Sequence, residues 1–385
     1  MTQLLGWTRE LPTRLRASVI RRVEATRQWA YNYRSRTADG AIAMHALVFG
    51  SVLATFLLFF AGSAWTVLPV LAFLASMGVG WYRYQAEAAK ALTFLTTVAT
   101  VSILTLIVAF LVIESLPIVR AMGVDVFTQV RNPAMETPKL GQGLWGRNDV
   151  WSLTPMMVGT AVTTVIATLV AAPVGIAGAV FVSEIAPRRI REVVKPGIEL
   201  MAGIPSITYG FIGLTIVNQY FYAKFRTPTI GTYFAAGLMI GIMALPTVVT
   251  VAEDALNAVP ESIKSGALAM GSTPWQTTKS VTIPAGLSGV SAGVLLGVGR
   301  AMGETMAATV MLSHTKGFPS PVFDVFSSYG ETLTTVIAFE GGNASGLHMS
   351  ALFAGGVVLF VMVMLLSVGS QYVEWRMHQK LGGER

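Results

Sequence analysis

The sequence predicts an all-α, polytopic membrane fold with about eight transmembrane helices. Three observations lead there. Of 385 residues, 53% are hydrophobic and only 12% charged; the mean hydropathy is +0.61; and the apolar residues gather in long runs almost free of charge. A hydrocarbon core about 30 Å thick takes about 20 apolar helical residues, because backbone groups in lipid must bond to one another. Eight runs meet that length: 41–62, 64–81, 91–113, 155–182, 197–223, 228–252, 284–313 and 347–370.

Charge sets the expected orientation. Residues 1–40 carry Arg9, Arg14, Arg16, Arg21, Arg22, Arg27, Arg34 and Arg36 against Glu10, Glu24 and Asp39, which makes this end cytoplasmic by the positive-inside rule. Leu11, Leu15, Val19 and Val23 recur every four residues among these arginines. That pattern suits either a helix on an anionic membrane surface or a solvated tail that only sets topology. Eight crossings return the C-terminus to the cytoplasm, where Arg376, Lys380 and Arg385 agree. The segments 82–90 and 253–283 and the Arg188, Arg189, Arg191, Lys195 cluster then lie inside, while 114–153, 224–227 and 314–346 lie outside. Lys224 and Arg226 run against the bias.

The net charge of +7 belongs to these inter-span segments, so nucleic acid is not an expected partner. There are no cysteines, and the four histidines (His45, His314, His348, His378) form no close pair, so thiolate chemistry and histidine metal sites are not expected. The organisation read from the chain is a basic tail at 1–40, two additional spans at 41–82, one membrane domain at 83–375 and a short tail at 376–385.

Between two of the spans lies the polar segment 253–286. Pro260 opens a short helix, Gly271 closes it with a left-handed cap, Thr273-Pro274 starts a second helix, and Pro284 restarts the chain into the next span. Such a hairpin is a compact knob suited to a groove on another protein. Gly266, Gly271, Ser272 and Thr273 have the glycine spacing of a phosphate-binding loop but lack its lysine and its preceding strand, so ATP is not expected here.

The stretch Ser265-Gly266-Ala267, three residues, Gly271, nine residues, Val281-x-Ile283-Pro284 resembles the EAA loop of ABC importer permeases, with Ser265 in place of the leading Glu. The runs Glu199-Leu-Met-Ala-Gly-Ile-Pro-Ser-Ile-Thr-Tyr-Gly210 and Leu296-Gly-Val-Gly-Arg300-Ala-Met-Gly-Glu304-Thr-Met-Ala307 resemble signature stretches of phosphate importer permeases, more of the PstC type than of the PstA type. The resemblance spans about residues 90–375. It implies a six-helix type I importer permease core, with 41–82 outside it. It also implies a second permease subunit of PstA type, an ATP-binding subunit pair of PstB type that holds ATP and Mg, an external phosphate-binding protein of PstS type, and a prokaryotic inner membrane. On this reading the chain itself binds no cofactor and is not an enzyme.

Arg300 and Glu304 are the charged residues of the run 284–313, and at i and i+4 they are expected to share one helical face in mid-membrane. Charges at that depth cost on the order of 2.5 to 3.5 kcal/mol each on insertion scales, so the pair is read as a phosphate way-station, against the blander reading of a self-neutralising pair packed on a neighbouring span. Arginine offers a planar donor fork to an oxyanion, and a carboxylate can accept the proton that phosphate keeps near neutral pH and sulfate lacks. Of the neighbouring glycines, Gly293 and Gly297 are read as packing positions and Gly299 and Gly303 as access to the path. Pro205 is expected to break the fifth span, with Glu199 as a gate or interface residue near its inner end. Two other readings stand against this one: a PstA-type or other oxyanion permease, and a rhomboid-like intramembrane protease using Ser288 and His348, which the topology sets at opposite membrane faces.

Overall fold

The computed structural model describes residues 39–135, 143–147, 149–318, 324–326 and 328–380. The basic segment up to Arg36 lies outside the described residues. Seven of the described helices are long and apolar enough to cross a membrane, and a bent pair brings the number of spans to eight.

In chain order the elements are α1 (Asp39–Phe60), α2 (Val67–Arg83), α3 (Gln85–Met122), the single turn α4 (Asp125–Thr128), a two-stranded hairpin of β1 (Trp145–Arg147) and β2 (Val150–Trp151), and α5 (Thr154–Val180), which widens into a π-turn at Phe181–Ile185. Next come α6 (Arg188–Gly203), then α7 (Ser206–Ile212), which runs through a π-segment into α8 (Gln219–Phe225), and α9 (Tyr233–Asn257). The remaining helices are α10 (Glu261–Ala269), α11 (Pro274–Thr277), α12 (Ile283–Met302), α13 (Met306–Met311), α14 (Leu333–Glu340) and α15 (Gly346–Lys380).

The chain divides into two compact units, 1–107 and 108–385, and the division falls within α3. In the first unit α1 and α2 form a hairpin whose turn places Gly62 at φ +63°. Met44, Val48 and Ala88 form its small core against Phe73, Met77, Tyr84 and Leu95. Most of its apolar side chains point outward, Phe60 being 82% exposed. A surface that apolar needs lipid as its solvent.

The second unit is built around α5, α9 and α12. Small residues let these backbones approach closely: a Cβ added at Gly241 of α9 would come within 2.9 Å of the Ala167 carbonyl oxygen of α5, and one at Gly293 of α12 within 3.2 Å of the Ala252 amide nitrogen of α9. The core holds Tyr233, Met239, Ile240, Met243, Ala301 and Met311. The two ends of α5 pack into different clusters. Met156 joins Leu153, Leu333, Val336 and Leu352, while Ala179 and Val180 join Val249, Leu256 and Val290. At 1.5 Å per residue, Thr154 and Ile185 stand about 46 Å apart, so α5 connects opposite ends of the unit.

Two expected spans are remodelled. Gly203 ends α6, Ile204 and Pro205 are extended, and α7 leaves at 91° to α6. The sequence places a break there, and the structure makes it a right angle, because proline cannot donate its amide and disfavours a helical residue before it. The run 284–313 is not one helix. The helix that crosses here begins at Pro274, runs through a π-segment at Thr278–Thr282 just ahead of Pro284, and stops at Met302. Pro284 therefore does not restart the chain: the wide turn, in which Ile283 N donates to Thr278 O, takes up the backbone change around a residue with no amide to give.

Candidate functional site

The charged residues expected to share one helical face do not share one helix. Arg300 sits in the last turn of α12, about 26 Å along from Ile283 at 1.5 Å per residue. Gly303 caps that helix, and Glu304 lies in the break before α13. The pair thus stands toward the far end of the span rather than in its middle, and among the described residues no ion pair joins them. A glycine at the cap, followed by a carboxylate beside the free amides of the next helix, favours two helices over one.

Each charge has its own partner. Arg300 Nη1 donates to Thr247 Oγ1 of α9 at 3.0 Å. Glu304 Oε1 accepts from Ala307 N at 2.9 Å, capping α13, where negative charge meets unpaired N–H groups. The Glu304 carbonyl oxygen accepts from Thr334 Oγ1 of α14 at 2.8 Å. Arg300 commits one hydrogen bond to protein among the described residues, so most of its five-donor fork is available to an anion. Its surroundings are open: a Cβ at Gly299 would meet no atom within 4 Å, and one at Gly303 only the Gly299 carbonyl oxygen at 3.5 Å, whereas Gly297 packs on Val248.

Glu199 lies on the exposed face of α6. Together with Pro196, Leu200, Gly203, Ile204 and Pro205 it lines an open cleft of about 610 Å³. The structure groups Glu199 with Pro205 and shows no contact from either to Arg300 or Glu304 among the described residues.

The polar hairpin forms as its residues demand. α10 carries Ser265, Gly266 and Ala267. Gly271 turns the chain at φ +91°. Thr273 and Gln276 form a reciprocal capping box at the start of α11. Val281 lies in the π-segment, with Ile283 and Pro284 opening α12. Ser265, which replaces a glutamate, donates locally to Ser262 O at 3.2 Å. Ser272 Oγ is committed to Ala267 O at 2.8 Å and to Thr277 Oγ1 at 2.7 Å, which suits a turn lock and not a phosphate cradle.

Sequence reasoning missed a polar cluster at the other end of α5. Glu340 binds Lys316, His348 Nε2 at 2.7 Å and the Trp145 indole N–H at 2.7 Å. Burial pushes its carboxyl up, but these three donors together hold it below the ordinary value. His348 also stacks on Trp151 with ring centroids 4.5 Å apart, so its ring is occupied by a structural role. Glu331 is fully buried, with Oε1 2.7 Å from His314 Nδ1 and Oε2 without a protein partner among the described residues. Burial pushes the Glu331 carboxyl up, against the opposing pull of His314 and Lys316; Glu340 adds to the upward push. No spacing rule joins residues so far apart in sequence. The signal available was the scatter of polar and charged residues through the segments 114–153 and 314–346.

The Glu331 shift has a testable sign. A carboxyl raised above its ordinary 4.5 on folding contributes stability below that pH and loses it as pH rises through the folded value. Glu331→Gln, which keeps the shape and an acceptor for His314, should therefore unfold at a higher temperature than the natural chain at pH 8, with the difference vanishing near pH 4. A lower unfolding temperature at pH 8 would show that the His314 pairing outweighs burial.

Comparison with known proteins adds an independent line. Residues 171–379 match the family model described as the binding-protein-dependent transport system inner membrane component. The chain is 36% identical over 248 residues to the probable ABC transporter permease protein YqgH of Bacillus subtilis, covering 64% of this chain and 75% of that one. It is 33% identical over 245 residues to the phosphate transport system permease protein PstC of Pasteurella multocida, covering 59% and 75%. With the probable phosphate transport system permease protein PstC of Methanocaldococcus jannaschii it shares 31% identity over 294 residues, covering 71% and 89%.

Proposed function

The chain belongs to the family of binding-protein-dependent transport system inner membrane components, and from that membership we propose that it is the PstC-type permease subunit of an inorganic phosphate importer. Membership makes it a multi-pass inner-membrane permease subunit that works with a partner permease and ATPase subunits. The finer reading adds the PstA type for the partner, the PstB type for the ATPase pair with its ATP and Mg, and the PstS type for the external binding protein. Both termini are cytoplasmic in this reading. Hairpin 253–286 docks the ATPase, and the path passes Arg300 and Glu304.

The observation that carries the choice of substrate is Arg300 with its open donor fork, four residues before Glu304 and flanked by the glycines 299 and 303. The guanidinium offers two parallel donors to an oxyanion. The carboxylate oxygens of Glu304 offer an acceptor to a P–OH group, which monohydrogen phosphate has and sulfate has not. A site that binds a substrate O–H discriminates strongly against an analogue without one, since its acceptor is otherwise left unpaired.

Labelled phosphate uptake by vesicles holding this chain and its partners tests the reading. Uptake should be ATP-dependent and should survive a hundredfold excess of sulfate. Equal competition by sulfate, or uptake of molybdate in preference, overturns it.

A further inference from the structure

The hairpin α10–α11 is anchored by burial on one side only: Thr277 of α11 and Thr278 just after it are buried, whereas α10 has no such hold. No residue of α10 is buried, and Ile263, Leu268 and Met270 are 48%, 43% and 90% exposed. Among the described residues, one ion pair ties α10 to a segment outside the hairpin. Lys264 Nζ donates to Glu184 Oε1 at 2.7 Å, across 80 residues of sequence, with the two side chains only 13% and 11% exposed. An ion pair screened from water to that degree is directional and far less weakened by salt than a surface pair.

Glu184 is not on a loop. It lies in the π-turn that ends α5, where Ala186 N donates to Phe181 O at 2.7 Å. Wide turns of this kind recur at functional positions in helices. The same turn is gripped a second time by Arg191 Nη2, which donates to Ser183 O at 2.8 Å. From there α5 runs as a rod packed along α9 through Gly175 against Val248 and Gly237 against Ile166. At its far end Thr160 Oγ1 accepts from Leu333 N at 2.9 Å, fixing the start of α14. One residue on, Thr334 Oγ1 donates to the Glu304 carbonyl oxygen. A continuous series of bonded elements thus leads from Lys264 through Glu184, α5 and α14 to Glu304.

We propose that the Lys264–Glu184 ion pair is the positioning contact through which movement of the ATPase-docked hairpin is passed to α5 and so to the segment that holds Glu304. The proposal rests on the reading of 253–286 as the ATPase docking hairpin. Neither residue touches substrate or nucleotide: each acts by making the hairpin and α5 move together. Without the pair, the hairpin stays folded on its own capping box and turn lock, and the ATPase stays docked, but hydrolysis proceeds without moving the path.

The assembled importer in proteoliposomes, with external binding protein and phosphate, tests this by measuring phosphate taken up per ATP hydrolysed. Lys264→Ala and Glu184→Ala should each retain the ATPase on purification and hydrolyse ATP, while uptake per ATP falls tenfold or more. Lys264→Arg should stay within about threefold of the natural chain. The exchange Lys264→Glu with Glu184→Lys should recover most of the loss, a rescue that a purely structural role for either side chain does not predict. Single variants with undiminished uptake per ATP overturn the proposal.

The natural chain has no cysteine, which allows a second measurement that does not depend on the charge exchange folding. Lys264→Cys with Glu184→Cys, joined by a short thiol-reactive crosslinker, should regain coupling lost in the unlinked form, because the two segments are again one body. Failure of the linked form to regain it also overturns the proposal. If instead a variant whose hairpin has been disrupted still purifies with the ATPase, it is the docking reading that fails, and that outcome is seen in the purification before any transport is measured.

Discussion

Arg300→Ala and Glu304→Ala should each lower phosphate uptake by a hundredfold or more while the protein still inserts and assembles. The separate partners of the two residues sharpen the expectation. Because Arg300 is held by Thr247 and Glu304 by Ala307 N, removing one does not strand the other without a bond. The loss of transport should therefore exceed any loss of stability. Glu304→Ala removes a helix cap, worth about 1 kcal/mol, and membrane protein level is the control for it. The variant carrying both Arg300→Leu and Glu304→Leu removes one charge from the last turn of a span and one from the break after it, and should insert at least as readily as the natural chain. Wild-type uptake by that neutral form would make both residues structural and end the site assignment. Glu304→Gln separates the remaining roles. It keeps a carbonyl oxygen for Ala307 N but loses the negative charge, so it should weaken the preference for phosphate over sulfate more than it slows passage.

Replacing Gly271 with a bulky charged residue such as glutamate should cut uptake by more than tenfold without affecting insertion. Gly271 holds φ at +91°, and a Cβ there would meet no atom within 4 Å, so the cost is conformational and not a clash. Left-handed backbone costs an ordinary residue about 1 to 2 kcal/mol. That is enough to let the chain around Gly271 relax and swing α10 away from its turn lock at Ser272, though not enough to unfold spans held by α5, α9 and α12. ATP hydrolysis by the complex should persist or rise relative to transport. Unchanged assembly and uptake would sink the assignment of 253–286 as the docking hairpin. Gly271→Ala, with the same φ problem, should show the same defect.

The helical class, the number of spans and the hairpin were legible because each is written locally. An apolar run of bilayer length, a glycine needing positive φ, and a Thr-Pro cap with Gln three residues on need no distant partner to be understood. The packing glycines were legible for the same reason, since Gly293 and Gly297 fall at the spacing that brings helices together. Two features were misread where local rules competed. Counting apolar residues across 284–313 merged two helices, because hydropathy does not register a break that occurs inside an apolar run. Reading Pro284 as a restart followed the proline rule, yet a π-turn absorbed the missing amide and kept the helix whole.

The amino-acid order alone thus settled that this chain is a helical membrane protein, about how many spans it has, and that Gly271 and Thr273 shape a polar hairpin between two of them. Tertiary packing settled which charges meet. Lys264 joins Glu184 across 80 residues and Arg300 turns to Thr247, while Glu304 caps α13 instead of pairing with Arg300. The physical reason is the range of the forces. Helix length, capping and backbone preference act within about one turn and are inscribed in neighbouring residues, whereas a side chain's partner in a membrane interior is set by which helices the packing brings side by side.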